Sequence, residues 1–211
     1  SQLPPAPRGP GELQPLLLMV VEALSAQQAL VLECALQVVR CILPPLASFL
    51  KSDQGDVRLL ALKCFSGLCL TLVNDAHAFS PEADRPSEAA RLLQTLLCRS
   101  FLPMVPALLA DDPPGPDYAM RLVAALLGSG DRAAAAARTA LRELGLARPL
   151  LLALGGRQGL TLHAAVLAHC LLRGREVEAR DLLDAGVFDA VREVLAEAAE
   201  AAGESLAHVD F

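Results

Sequence analysis

The sequence predicts an all-α protein built as a stack of helical pairs. Three observations carry that prediction. Leu and Ala dominate a chain of 211 residues that is 54% hydrophobic but only 3% aromatic, with no Trp and one Tyr. Both residues favour helix, and the β-branched and aromatic residues that favour strands are scarce. Apolar residues also recur at helical spacing, in segments parted by short turns rich in Pro, Gly and Asp. Finally, the stretch from Ile42 to Leu72 reads as two helices that cannot bury their apolar faces alone, so each pair needs neighbours.

Taken in order, residues 1–11 are rich in Pro and Gly and predict a linker or tail. Helical periodicity starts near Glu12. The segments Leu13 to Leu24 and Ala26 to Arg40 form a first pair, with Leu30, Cys34, Val38 and Cys41 on one face of the second helix. In the next pair, Leu43 to Lys51 sets Leu43, Leu46 and Leu50 at helical spacing, with Pro44-Pro45 at its start. The turn Ser52-Asp53-Gln54-Gly55 follows. Asp56 then opens a helix carrying Leu59, Leu62, Phe65, Ser66 and Cys69. An aspartate there caps free amides and opposes the helix dipole. Leu62 and Phe65 are expected to face the interior near Leu46.

Residues 74–87 break the pattern and predict an insertion loop. Ser87 or Glu88 starts a helix running to about Ser100, with Leu92, Leu93, Leu96 and Leu97 inward, and a short helix Phe101 to Ala110 comes next. The run Asp111 to Pro116 is a rigid turn, since Pro fixes φ and cannot continue a helix. Asp117 is expected to cap a helix to Leu127, and Asp131 to open another.

The second half carries an internal repeat. The segment from Gly130 can be laid over the segment from Gly174, matching Leu141 with Leu182 and Leu144-Gly145-Leu146 with Ala185-Gly186-Val187. Gly145 and Gly186 suit the residue just past a helix end, where a left-handed backbone is needed. The spacing fits the roughly 40 to 47 residues of armadillo and HEAT repeats. Gln158 to Leu172 reads as the long third helix of its unit. With the Asp56 helix and its partner, these segments make the chain resemble an armadillo/HEAT-like right-handed α-solenoid of about five helical units over residues 12–203, with 204–211 as the C-terminal end. Thr161-Leu162-His163-Ala164-Ala165 is similar to the ankyrin motif but has Leu in place of Pro, and nothing repeats it at the ankyrin spacing of about 33 residues.

Charge and motif content narrow the function. The net charge is −6 and the sequence pI about 5.2, against the basic face that duplex nucleic acid requires. Six cysteines, none in a C-x-x-C pair, predict buried free thiols in a reducing compartment rather than a disulfide frame or zinc knuckle. The longest uncharged runs, such as Gln158 to Leu172, fall short of a membrane span. Gly128-Ser129-Gly130 and Gly155 to Gly159 lack the Gly-Lys-Ser/Thr ending of a phosphate loop. His77, His163, His169 and His208 form no compact metal set, and no local nucleophile elbow is present. The sequence thus predicts no catalytic, cofactor-binding or metal-binding residues and no specific small molecule.

The expected work is protein binding, by a soluble cytoplasmic segment of a larger protein. Glu193, Glu197, Glu200 and Glu204 recur at helical spacing and form a carboxylate stripe opposite Val191, Val194, Leu195 and Ala198. Glu193, Glu197 and Glu200 are the candidate partner-binding residues, suited to a basic surface, although a solvated face explains them too. Arg132, Arg138, Arg142 and Arg148 make a contrasting basic stretch. Armadillo proteins that clamp extended peptides repeat an Asn, and import adaptors add Trp. This chain has a single Asn, Asn74, and no Trp, which disfavours that mode. Exposed apolar or charged residues are expected near the terminal helices, where a stacking face is left uncovered.

The segment from Asp56 to Leu68, DVRLLALKCFSGL, is similar in style to the helical tails of Fused-type and Unc-51-like kinases, some associated with cilia. That likeness implies a regulatory tail. A microtubule-associated solenoid is the further alternative, and the single lysine of the turn Lys51 to Gly55 does little to support contact with acidic tubulin.

Overall fold

The computed structural model describes residues 10–75, 87–129, 131–155, 169–173, 179–184, 186–189, 192, 196, 199 and 200. The chain divides into two units, residues Ser1–Ala136 and Ala137–Phe211. Among the described residues both units are helical and contain no strand.

The first unit opens with α1 (Pro10–Ser25). A turn leads into α2 (Gln28–Glu33), a bend at Cys34, and α3 (Ala35–Gln37). A π-helical turn, Val38–Ile42, then joins α3 to α4 (Leu43–Phe49). The sequence placed a pair boundary at Pro44-Pro45, and the structure corrects it. Proline lacks the amide hydrogen and its ring clashes with the carbonyl four residues back, so it normally breaks a helix. Here the turn is widened before the prolines, and the Leu43 amide donates to the Val38 carbonyl five residues back. The helical course therefore runs through, and Ala26 to Arg40 and Leu43 to Lys51 belong to one bent helix.

That bent helix pairs with α5 (Gly55–Val73), against which α4 packs; α1, α2 and α8 (Gly115–Gly128) also contact α5. Helix α5 is enclosed on several sides, which is why Val57, Ala61, Leu62, Cys64, Phe65, Leu68, Cys69, Leu72 and Val73 are all buried. Asp56 sits in the first turn, but the N-cap is Gln54 and no side chain caps the end. The carboxylate acts there through its charge rather than as a cap.

The next pair is built the same way. Helix α6 (Glu88–Leu96) is capped by Ser87, whose Oγ accepts from the Ala90 amide at 3.1 Å. A π-helical turn, Leu97–Phe101, a 3₁₀ turn, Leu102–Met104, and α7 (Val105–Leu109) follow without a break. Again the widened turn precedes proline, and the Leu102 amide bonds the Leu97 carbonyl. The break expected after Ser100 is thus absent. Helix α8 is the second helix of this pair. Its N-cap is Pro114, with Asp117 in its first turn rather than capping it.

The core between the pairs centres on Phe65 of α5 and Phe101. Both are fully buried, with ring centroids 5.6 Å apart and planes at 29°. Ser66 is the buried polar residue among them, and its hydroxyl donates to the Tyr118 carbonyl at 3.1 Å. The helical run Glu88–Leu109 is, among the described residues, long and apolar enough to cross a membrane by length and composition. Leu93, Leu97, Phe101, Leu102, Val105 and Leu108 of that run are buried within the protein.

Helix α9 (Asp131–Glu143) contains the boundary between the units. The second unit continues with α10 (Ala147–Gly155), a helical stretch at 169–173, and α11 (Ala179–Asp184), which packs on α10. Gly145 has φ +63° and Gly186 φ +69°, the left-handed geometry that their place after a helix end demands. The Leu146 amide bonds the Leu141 carbonyl and the Gly145 amide bonds that of Arg142, a Schellman closure. Leu146 folds back beside the buried Leu141 as the apolar partner of this motif. Most of the expected helix Gln158 to Leu172 lies outside the described residues, as do residues 76–86 of the expected insertion loop.

Candidate interaction surfaces

Two surfaces stand out among the described residues, each set by the helical pairs. The first is the edge where each pair turns. Arg58, one turn into α5, reaches Asp111 in the turn of the following pair. Its Nε and Nη2 donate to the two carboxylate oxygens at 2.7 Å each, and Nη1 donates to the Ser52 carbonyl at 2.6 Å. One guanidinium thereby fixes two successive turns. The Asp111 hydrogen bond raises the Arg58 pKa, with burial opposing. Shallow clefts of about 260 and 280 Å³ flank this pair. Leu59, Leu62 and Pro113 line one, and Leu50, Met104 and Leu108 line the other.

Two more ion pairs join neighbouring elements. Arg40, in the first π turn, meets Glu88 at the start of α6. Lys63 of α5 meets Glu22 of α1, and that carboxylate raises the lysine pKa. Both are largely solvent-exposed and set alignment more than they add stability.

The second surface is an apolar face of α1. Leu18 is buried, whereas Leu16, Leu17, Met19, Val20 and Leu24 are exposed by 41 to 60%. This meets the expectation of uncovered apolar residues at a terminal helix. The signal was the run Leu16 to Val21, apolar on every side of the helix.

The expected carboxylate stripe lies mostly outside the described residues. Glu200 is helical and exposed, while Glu193 and Glu197 lie outside the described residues. Nearby, Arg192 pairs with Asp189 at 3.2 Å in the open. Of the basic stretch, Arg138 is half-buried and Arg142 and Arg148 are exposed.

The cysteines are all free, yet only in part as expected. Cys64, Cys69 and Cys170 are buried, Cys34 and Cys98 half-buried, and Cys41 exposed. Burial lifts the Cys64 thiol from 9.0 to about 11, and Cys69 well above the ordinary value. These are packing groups held neutral, the opposite of an activated nucleophile. His169 is exposed. Among the described residues no three metal-ligating side chains gather.

Bent helix, turn, straight helix, repeated and stacked, is the construction of HEAT repeats. Residues 6–131 match the family described as "Serine/threonine-protein kinase ULK4-like, HEAT repeats", and the chain belongs to that family. It is similar to the serine/threonine-protein kinase RUNKEL of Arabidopsis thaliana, 28% identical over 121 residues. The match takes in 57% of this chain but only 8% of that relative's length. No solved structure matches the chain. The HEAT-repeat region is not itself catalytic.

Proposed function

We propose that this chain is a non-catalytic scaffold segment that binds other proteins within a larger, kinase-related polypeptide. The observation that carries the reading is the repeated construction of residues 28–73 and 88–128, with a buried core between helices and charged turns along one edge. Stacked pairs give a long surface whose area grows with each added unit, and such a surface suits partner docking. The family supports a finer form, in which the segment serves as a regulatory tail of a kinase. A place in the cytoplasm, at cilia or the cytoskeleton, belongs to the same proposal.

The carboxylate stripe is one candidate contact for a basic partner. The test is affinity capture with the parent protein, alongside a variant carrying Glu193→Lys, Glu197→Lys and Glu200→Lys. A scaffold that uses the stripe keeps its helical circular dichroism and loses affinity, chiefly through slower association that depends on salt. Unchanged affinity and salt dependence reduce the stripe to a solvated face. A variant that unfolds makes the carboxylates structural.

A further inference from the structure

The edge where the two pairs turn carries more negative charge than its own ion pair uses. Arg58 and Asp111 neutralise each other through two bonds of 2.7 Å, with side chains only 25% exposed. Held by two bonds, they form a fixed partition rather than a pair of loose charges. Both residues line both clefts, so the cleft of about 260 Å³ and that of about 280 Å³ lie on either side of the partition. Asp56 and Asp112 border the first cleft, and Asp53 borders the second with Lys51. Asp53, Asp56 and Asp112 are exposed, and among the described residues none of them is held in an ion pair.

Beneath this rim the clefts are apolar. The second has the buried Leu50 and Leu108 as its floor, with half-buried Met104 and exposed Ala107 beside them. Ala107 leaves room there, and the flexible thioether of Met104 adapts to what enters. The surface rules out several ligands. Both volumes fall below the roughly 300 to 1,000 Å³ of a small-molecule pocket, and each suits a single side chain. Nucleic acid and anionic membrane are repelled by the carboxylates. Those carboxylates are strung along the edge, and no three metal-ligating side chains gather among the described residues.

We infer that this edge docks an extended basic segment of a partner protein, with an apolar side chain seated beside Met104 and Ala107. A flanking Lys or Arg meets Asp53, and another crosses the partition to Asp56 and Asp112. Charge selects this occupant, because these three carboxylates stand against Lys51 at the borders of the clefts. The fixed partition and buried floor lower the ordering that docking requires. The inference rests on the protein-binding reading above and adds to it a surface and a partner chemistry.

A displayed library of random peptides, selected on the 211-residue chain, tests it. Each recovered peptide is synthesised with a fluorescent label and measured by anisotropy. The peptides should join Lys or Arg to an apolar residue and bind less tightly as salt is raised. Asp53→Lys with Asp112→Lys should weaken them by about fivefold or more, with unchanged circular dichroism. Ala107→Gln, which fills the second cleft with a neutral side chain, should weaken them by a similar factor. Asp53→Asn with Asp112→Asn should act in the same direction with a smaller change, and it reads the charge even where the lysines disturb folding. An empty selection, acidic or uncharged peptides, or basic peptides indifferent to these variants overturn the inference. Weakening by the aspartate variants without weakening by Ala107→Gln overturns it too, since the carboxylates then act as diffuse charge with no groove. In each of those cases the scaffold reading still stands or falls on affinity capture with the parent protein.

Discussion

The pair formed by residues 28–73 and the pair formed by residues 88–128 share a construction but few side chains. Each begins with a bent helix whose π turn, Val38–Ile42 or Leu97–Phe101, precedes a proline and carries an arginine, Arg40 or Arg99. Each then turns through an aspartate-bearing segment into a straight, buried helix. They differ at the start. The second bent helix is capped by Ser87, whereas the first begins at Gln27 with no side-chain cap. The first straight helix packs on both α1 and α8. The comparison teaches that backbone devices placed at matching points preserve the pair, while packing partners decide how strongly each copy is held.

The largest expected effect breaks the joint between the two pairs. Phe101→Ala removes one ring of the Phe65–Phe101 stack from a fully buried site and should cost about 3 to 5 kcal/mol. Chemical denaturation with circular dichroism would measure it, and a loss under about 1 kcal/mol would mean that the pairs are not joined there. Leu62→Ala probes the first straight helix. It deletes a side chain only 1% exposed and should cost on the order of 2 to 5 kcal/mol.

Ser87→Ala sharpens the contrast in capping. Loss of the bond to the Ala90 amide should cost about 1 kcal/mol, with a Gln27→Ala control near zero. The smallest effect at neutral pH concerns Cys64. Its folded pKa is raised, so the unfolded chain ionises first, and the stability from the neutral buried thiol is intact below 9.0. That stability falls as pH rises from 9.0 towards about 11. Denaturation midpoints across that range should fall more in the parent chain than in Cys64→Ala, and parallel curves would contradict the assignment.

Much of the helical architecture was legible because it rests on local rules. The sequence starts a helix at Ser87 or Glu88, and Ser87 is its cap; Gly145 reads as a helix terminator from its place after Leu144 and has the left-handed backbone that place requires. Pro44-Pro45 misled for an equally physical reason. Proline disfavours an α-helical interior, but a π turn satisfies the preceding amide differently, and that substitution leaves no mark in residue type. Because both π turns were hidden, the kinship of residues 28–73 with 88–128 was hidden too. Asp56 and Asp117 were read as caps from composition, yet the helices begin one or two residues earlier than the aspartates. The Arg58–Asp111 bond joins residues 53 apart and has no local signature. Of the candidate site, Glu200 is described and exposed, and Glu193 and Glu197 lie outside the described residues.

The ion pairs Lys63–Glu22, Arg40–Glu88 and Arg58–Asp111, described within the first unit, have a kinetic consequence. They span 41, 48 and 53 residues, each reaching no further than the adjoining pair. Closing such loops sets a similar, moderate entropic cost each time, and none requires the far ends of the unit to meet. Assembly can therefore proceed by adding one hairpin of helices to its predecessor, in either direction along the chain. A nascent polypeptide could begin to consolidate its early pairs before the later ones exist, with no long-range closure to wait for.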